Sequence, residues 1–230
     1  MPAAAPSARI LASSVDPETR MLTLEVAAEV PGLEDYYADI GLCQPGEAYR
    51  MAWQWASLKQ QADGTYDGTL TFPLDLDMGL ELRLEDNTVL FSSDFVSDLL
   101  PLQFGQGGPS IHFNSEEQKL YLCDFDVHLV NLAGGETQGR DGKFRVYRNG
   151  KLVFTGKKAA DSGFDLLVNG EPCESVGIDC TEGDRMRLCY ACTDDAGLRY
   201  EFPLSEILTQ KWDGTERCPI SGRPMVTWAE

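Results

Sequence analysis

Cys189 and Cys192 have the spacing of a zinc half-site or a redox pair. A zinc site needs four thiolate or imidazole ligands, and a C-x-x-C motif supplies two of them from a knuckle or a helix start. Here the motif lies in an alternating segment that predicts a β-strand, where residues three apart point to opposite faces. Cys218 begins a second knuckle-like segment, in which Ser221 replaces the second cysteine. These patterns favour buried thiols over a metal centre, and we expect no cofactor.

The seven cysteines are an odd number without regular spacing, and most of them fall in strand-like apolar runs. Free cysteine behaves as a small hydrophobic residue, so reduced thiols in a core are expected. One disulfide bond between Cys173 and Cys180 remains an alternative.

Acidic residues two apart could together bind a hard cation. Asp75 and Asp77, and likewise Asp124 and Asp126, would share one face of a strand. The loop 63–68 could add oxygen ligands for calcium. A solvated acidic strand face explains the same pattern, and we expect that simpler arrangement.

Catalytic motifs are scarce. The two histidines, His112 and His128, both lie in predicted strands, and the chain has no nucleophile elbow, phosphate-binding glycine loop or His-Glu-x-x-His motif. Two carboxylates could serve a glycosidase, but no pair stands out among 37 acidic residues. The sequence therefore predicts a protein that is not an enzyme, with a metal-dependent hydrolase as an alternative.

Three large side chains, Met51, Trp53 and Trp55, alternate with Ala52 and Gln54. The small or polar opposite face predicts that the tryptophans point inward and fill a core. An exposed tryptophan pair could instead stack on sugar rings, which leaves a carbohydrate-binding module as an alternative function.

The elements that must position these residues are strands, organised around a hairpin pattern that occurs twice. Residues 80–84 and 89–91 form the first copy, and residues 188–192 and 198–202 form the second. Both copies alternate apolar with mostly polar residues and turn on an acidic, small-residue cluster, which is typical of a half-buried hairpin.

Each hairpin follows an opening strand, a polar turn and a long strand. The long strands are predicted at 22–30 and 121–129, the second with Asp124, Asp126 and His128 on its polar face. Asn149-Gly150 predicts a further tight hairpin, because both residues adopt the positive φ angles of a type I′ turn. Helical periodicity is limited to a turn or two in three segments, 34–40, 94–100 and 204–211.

The sequence thus predicts an all-β chain with two tandem immunoglobulin-like or fibronectin III-like β-sandwiches. The predicted organisation is a linker or tail at 1–8, a sandwich at 9–102, a glycine-rich linker at 103–109, a sandwich at 110–212 and a C-terminal extension at 213–230. The extension either adds an edge strand at 225–228 or stays mobile.

In this strand pattern the chain resembles the tandem immunoglobulin-like modules of bacterial surface and envelope proteins. Unlike antibody-type domains, it lacks paired core cysteines around a tryptophan, since Trp53 and Trp55 have no suitably spaced cysteine partners. The resemblance implies the fold and adds little about activity.

Composition limits the partners. Hydrophobic residues make up 43% and charged residues 24% of the 230 residues, with a formal net charge of −18. An acidic surface repels phosphate backbones and anionic lipid, so neither nucleic acid nor direct membrane binding is expected. No apolar run approaches the roughly 20 residues that cross a bilayer.

The N-terminal residues 1–8 lack the basic start and apolar core of a signal peptide. One hypothesis is an extracytoplasmic protein whose export signal or anchor has been removed, and the alternative is a complete cytoplasmic protein.

We therefore predict a non-catalytic binding or spacer module that engages a protein partner or envelope component through loops or a sheet edge. The candidate edge is the basic hairpin with Arg145, Tyr147, Arg148, Asn149 and Lys151. Strand addition would supply affinity through unpaired backbone groups. Alternatively, these charges only protect the edge from aggregation.

Overall fold

The structure is a computed structural model that describes residues 5–159, 166–210, 214–218 and 224–228. Within these ranges the chain forms antiparallel β-sheets, two 3-10 helices at Tyr49–Met51 and Val96–Leu99, and no α-helix. The predicted all-β class is confirmed. Among the described residues, no helix has the length and apolar character needed to cross a membrane.

The chain divides into two compact units. The first comprises Met1–Gln103 together with Asn131–Gly135, and the second comprises Phe104–Val130 together with Glu136–Glu230. The strands of the first unit are β1 (Ser7–Asp16), β2 (Met21–Glu29), β3 (Tyr37–Cys43), β4 (Gln54–Gln60), β5 (Tyr66–Pro73), β6 (Leu80–Arg83) and β7 (Val89–Ser93).

These seven strands form one sheet in the order β1-β2-β5-β4-β3-β6-β7. β4 and β5 share only the pairs Lys59–Asp67 and Gln60–Tyr66. The sheet therefore consists of two well-paired parts, β1-β2-β5 and β4-β3-β6-β7, with a short junction between them.

Alternating apolar residues from both parts of the sheet fill the core of the first unit. Burial of each such side chain contributes about 1.5–3 kcal/mol relative to exposure. Core residues that are at most 1% exposed include Leu22 and Leu24 of β2, Ile40 and Leu42 of β3, Leu58 of β4, Tyr66, Leu70 and Phe72 of β5, and Leu80 and Leu82 of β6.

The strands that follow form three sheets in the described part of the chain. They are β8 (Gln103–Gly107), β9 (Ser110–Asn114), β10 (Lys119–Cys123), β11 (Val127–Val130), β12 (Glu136–Thr137), β13 (Arg140–Arg148), β14 (Lys151–Lys158), β15 (Leu166–Val168), β16 (Glu171–Cys173), β17 (Ser175–Asp179), β18 (Arg185–Thr193), β19 (Leu198–Gln210), β20 (Gly214–Cys218) and β21 (Met225–Trp228). The sheet orders are β9-β10-β17, β8-β11-β12 and β16-β15-β14-β13-β18-β19-β20, and β21 pairs with β19.

Both predicted copies of the organising hairpin are confirmed. β6 pairs with β7 in the first unit, and β18 pairs with β19 in the second. The Asn149-Gly150 turn between β13 and β14 is also confirmed, with φ angles of 51° and 84°.

The predicted long strand at 121–129 is wrong. Asp124 adopts a left-handed backbone conformation with φ of 56°, and the Asp126 N–H donates to the Asp124 carbonyl oxygen across 2.7 Å. β10 therefore ends at Cys123, and β11 begins at Val127 in a different sheet. Aspartate tolerates this conformation, so it interrupts a strand even where the apolar alternation continues.

Most of the segment predicted as a linker, 103–109, forms strand β8 at Gln103–Gly107. Gly107 has φ of 104°, and a Cβ atom there would lie 2.6 Å from the Asp126 carbonyl oxygen. The glycine is required because the two backbones approach too closely for any side chain.

Of the weakly helical segments, 94–100 contains the 3-10 helix Val96–Leu99, whereas 34–40 leads into β3 and 204–210 extends β19. Of the two alternatives for 225–228, the structure forms the added strand, since β21 pairs with β19. The rest of the extension is only partly described, since residues 211–213, 219–223 and 229–230 lie outside the described residues, as do Phe164 and Asp165.

Candidate binding surfaces

Cys189 and Cys192 are buried in the second unit, with exposed fractions of 1% and 4% respectively. Cross-strand pairing aligns Cys189 with Arg145, on the opposite side of β18 from Tyr190 and Cys192. Burial raises the pKa of each thiol to about 12. Both groups are therefore protonated at neutral pH, and the thiolate that a metal needs is disfavoured.

The six cysteines that the structure describes are free, as expected. Cys173 and Cys180 belong to this set, so the alternative disulfide bond between them is not formed. Burial raises the pKa of Cys180 to about 11. The side chain of Cys218 lies outside the described residues.

The acidic pairs do not share strand faces, which corrects the prediction. Asp75 and Asp77 lie in the loop after β5, where the Asp77 N–H donates to the Asp75 carboxylate at 3.2 Å. Asp124 and Asp126 flank the break between β10 and β11. No group of three metal-ligating side chains occurs among the described residues.

Both histidines lie in strands, as predicted, His112 in β9 and His128 in β11. His128 Nε2 lies 2.8 Å from the Asp126 carboxylate, and its Nδ1 lies 4.0 Å from Glu136. This arrangement orients the imidazole between two carboxylates.

The predicted inward orientation of Met51 and Trp55 is wrong, since they are 60% and 54% exposed. Trp53 does face the interior side, with its ring centroid 5.3 Å from that of Phe72. β4 begins at Gln54, and its buried residue Leu58 sets a phase in which Trp55 points outward. Met51 lies outside this strand, in the 3-10 helix at Tyr49–Met51.

Two of the predicted partner-binding residues are held by an intramolecular carboxylate. Arg145 donates to one oxygen of Glu201 at 2.5 Å, and the Tyr147 hydroxyl donates to the other at 2.6 Å. The Glu201 side chain is only 10% exposed, against 35% for Arg145. Burial, followed by the bond to Glu201, raises the pKa of Tyr147. These two side chains thus connect β13 to β19 across β18.

The turn residues are also engaged within the unit. Arg148 donates to the Asp179 carbonyl oxygen at 3.2 Å. The Asn149 amide donates to Asp184 at 2.7 Å and accepts from the Arg185 N–H at 2.9 Å. Of the five predicted residues, Lys151 is exposed, and its ammonium group has no intramolecular partner among the described residues.

The free edge of the hairpin is β14, whereas Arg145 and Arg148 lie in the neighbouring strand β13. β13 is an interior strand between β14 and β18, and β14 pairs with β15 only through Lys157 and Lys158. Residues Lys151–Gly156, hereafter the β14 edge, therefore have no outer strand partner in the described part of the chain. Leu152 and Val153 on this edge are 46% and 37% exposed.

Charge is strongly segregated onto this hairpin. Residues 140–158 contain seven of the 19 Lys and Arg residues but only one of the 37 Asp and Glu residues. A positive segment in a chain of net charge −18 attracts acidic groups from a distance.

No family model and no curated protein sequence matches this chain.

Proposed function

We propose that the chain is a non-catalytic binding module that holds an extended, acidic segment of a protein partner along the β14 edge. The observation that carries the proposal is the lack of an outer strand at Lys151–Gly156 in the described part of the chain. Unpaired backbone N–H and C=O groups there offer a template for one more strand.

The side chains of the β14 edge favour an alternating partner. Leu152 and Val153 present apolar surface, and Lys151 and Lys157 are exposed at either end. Backbone hydrogen bonds supply affinity irrespective of sequence, whereas alternate side chains supply selectivity. A segment that alternates apolar with acidic residues matches both features.

The strand orders support immunoglobulin-like sandwiches in both units. In the first, β1-β2-β5 matches A-B-E, and β4-β3-β6-β7 matches the C-F-G sheet with an added C′ strand, since β4 pairs mainly with β3. In the second, β9-β10-β17 matches A-B-E, and β14-β13-β18-β19 matches the C-F-G sheet with an added C′ strand. A tandem module of a bacterial surface or envelope protein is the context that we propose for this binding role.

The test uses short blocked peptides that alternate valine with glutamate, serine or lysine, added to the full chain. The glutamate peptide is expected to shift the backbone amide resonances of Lys151–Gly156 and to slow their hydrogen exchange. Lys151→Glu is expected to weaken this binding roughly tenfold, because it reverses an attractive charge at the edge.

Lys119→Glu is the matched control, since Lys119 lies in β10 of the same unit and outside the edge sheet. Equal effects of the two substitutions, or amide shifts confined to other segments, would contradict the proposal. Binding of the serine peptide as tightly as the glutamate peptide would retain strand addition but reject the acidic preference.

A further inference from the structure

An exposed aromatic face on the first unit, separate from the β14 edge, is formed by side chains of β3 and β4 and by the residue before β3. Tyr36, Tyr37 and Trp55 are 54%, 51% and 54% exposed. The cross-strand pairs on this side of the ribbon are Tyr37–Lys59, Asp39–Ser57 and Gly41–Trp55. We call Tyr36, Tyr37, Asp39, Trp55 and Ser57 the aromatic face.

The rings stand at the two ends of this face. Tyr37 and Trp55 are offset by four residues along the ribbon, which corresponds to about 14 Å at 3.4 Å per residue. The Tyr36 ring meets the Tyr37 ring edge-on, with centroids 5.0 Å apart. The Lys59 ammonium lies 5.5 Å from the Tyr36 centroid, a cation–π geometry that restrains this ring.

A polar pair occupies the space between the rings. The Ser57 hydroxyl donates to the Asp39 carboxylate at 2.5 Å, and both side chains face solvent. The face therefore alternates aromatic, hydroxyl–carboxylate and aromatic groups instead of forming one continuous apolar patch.

We propose that the aromatic face binds a neutral oligosaccharide. The two faces of a sugar ring carry C–H groups that pack on an aromatic ring, and its rim carries hydroxyls that bond to carboxylates and hydroxyls. The separation of Tyr37 from Trp55 exceeds one sugar ring, so the ligand is a chain of several sugars.

Charge selects against acidic sugars. Residues 1–108 contain 17 acidic and five basic residues, and Asp39 lies in the centre of the face. An anionic polysaccharide would be repelled by this unit, whereas a neutral one would not.

The site is chemically unlike the β14 edge. A peptide hot spot places an apolar anchor in a desolvated pocket, whereas the aromatic rings here are about half exposed and are separated by hydrogen-bonding groups. Sugar binding at the aromatic face is therefore independent of peptide binding at the β14 edge.

The test is affinity electrophoresis of the full chain in gels containing dextran, laminarin, galactomannan, xylan or hydroxyethyl cellulose, with polygalacturonate as the anionic comparison. At least one neutral polysaccharide is expected to retard the chain, whereas polygalacturonate is expected to leave its mobility unchanged. Trp55→Ala and Tyr37→Ala are each expected to weaken the retardation roughly tenfold, as is typical of aromatic contact residues.

Leu152→Ala is the matched control, because it removes an exposed apolar side chain of the other unit. It is expected to leave the retardation unchanged. Unchanged thermal unfolding of the Trp55 and Tyr37 variants would separate lost binding from lost folding, and Asp39→Asn provides a milder variant that is also expected to weaken binding.

Three results would overturn the proposal. They are no retardation by any of the five neutral polysaccharides, retardation by polygalacturonate alone, and retardation that both aromatic variants retain. None of these results bears on peptide binding at the β14 edge, which is measured separately by amide shifts.

Discussion

Tyr200 donates its hydroxyl hydrogen to Asp194, six residues earlier in the chain, across 2.8 Å. Both residues are buried, at 1% and 8% exposure. The other oxygen of Asp194 accepts from the Leu198 N–H at 2.9 Å. Burial, followed by the Asp194 carboxylate, raises the pKa of Tyr200. A single carboxylate thus closes the turn between β18 and β19 and fixes a core tyrosine.

Tyr200→Phe is expected to lower the free energy of unfolding by about 1–2 kcal/mol, because it leaves a buried carboxylate oxygen without its donor. Urea unfolding followed by fluorescence measures this loss. Tyr121→Phe is the control, since the Tyr121 hydroxyl bonds to Glu117 at an exposed site, and a loss below about 0.5 kcal/mol is expected there. Equal losses would show that the Asp194 contact does not stabilise the fold.

Glu201→Ala removes the carboxylate shared by Arg145 and Tyr147. The expected loss of stability is about 1–3 kcal/mol, because a half-buried guanidinium and a hydroxyl both lose their acceptor. Glu206→Ala breaks the more exposed ion pair with Arg185, which spans 3.1 Å, and is expected to cost less than about 1 kcal/mol. A larger loss for Glu206→Ala in urea unfolding would contradict this ranking.

The buried thiols are expected to resist alkylation in the folded chain. Iodoacetamide near pH 8 should modify the half-buried Cys123 and Cys173 before Cys189 and Cys192, whose pKa values of about 12 leave almost no thiolate. Peptide mass spectrometry after timed quenching measures the order. All four should react at similar rates in guanidinium, and early modification of Cys189 in the folded chain would place it at an accessible site.

Asp184 provides a pH-dependent contribution to stability. Partial burial raises its pKa, but hydrogen bonds from Thr181 and Asn149 outweigh this effect, and the net pKa is lowered. Its contribution is therefore fully present above the unfolded pKa near 4 and is lost as pH falls through the folded value.

Asp184→Asn is expected to reduce stability at pH 7 and to unfold with a weaker pH dependence between about pH 5 and pH 2 than the unsubstituted chain. Urea unfolding at a series of pH values measures the difference. Asp195→Asn is the control, because the Asp195 side chain is fully exposed. The stability of this variant is expected to follow the same pH profile as that of the unsubstituted chain. A constant difference for Asp184→Asn across this range would exclude the proposed linkage.

Local sequence signals predicted the hairpins well. The Asn149-Gly150 turn and the β18–β19 hairpin depend on residues close in sequence, whose backbone preferences determine the turn. The break at Asp124 could not be predicted, because the apolar alternation continues through it. The exposure of Trp55 could not be predicted either, because the strand begins only at Gln54 and its phase is set by the burial of Leu58.

The sequence predicts the structure of the basic hairpin only in part. Its charge and turn are local properties, but the engagement of Arg145 and Tyr147 depends on Glu201, more than 50 residues later in the chain. No periodicity specifies such a partner. The assignment of the open edge to β14 likewise required the sheet order, because neighbouring strands in a sheet are set by tertiary pairing.

The register of the β13–β14 hairpin shifts between Val146 and Tyr147, so that Val153 is the extra residue of a β-bulge. A bulge increases local twist and bends the strand that carries it. Two identical chains therefore cannot pair along this strand in a flat, continuous β-ladder. The adjacent lysines of the two chains would also repel each other. A short flexible segment can follow the bend. The bulge that hinders fibril growth between identical chains would therefore still allow such a segment to pair reversibly with this strand.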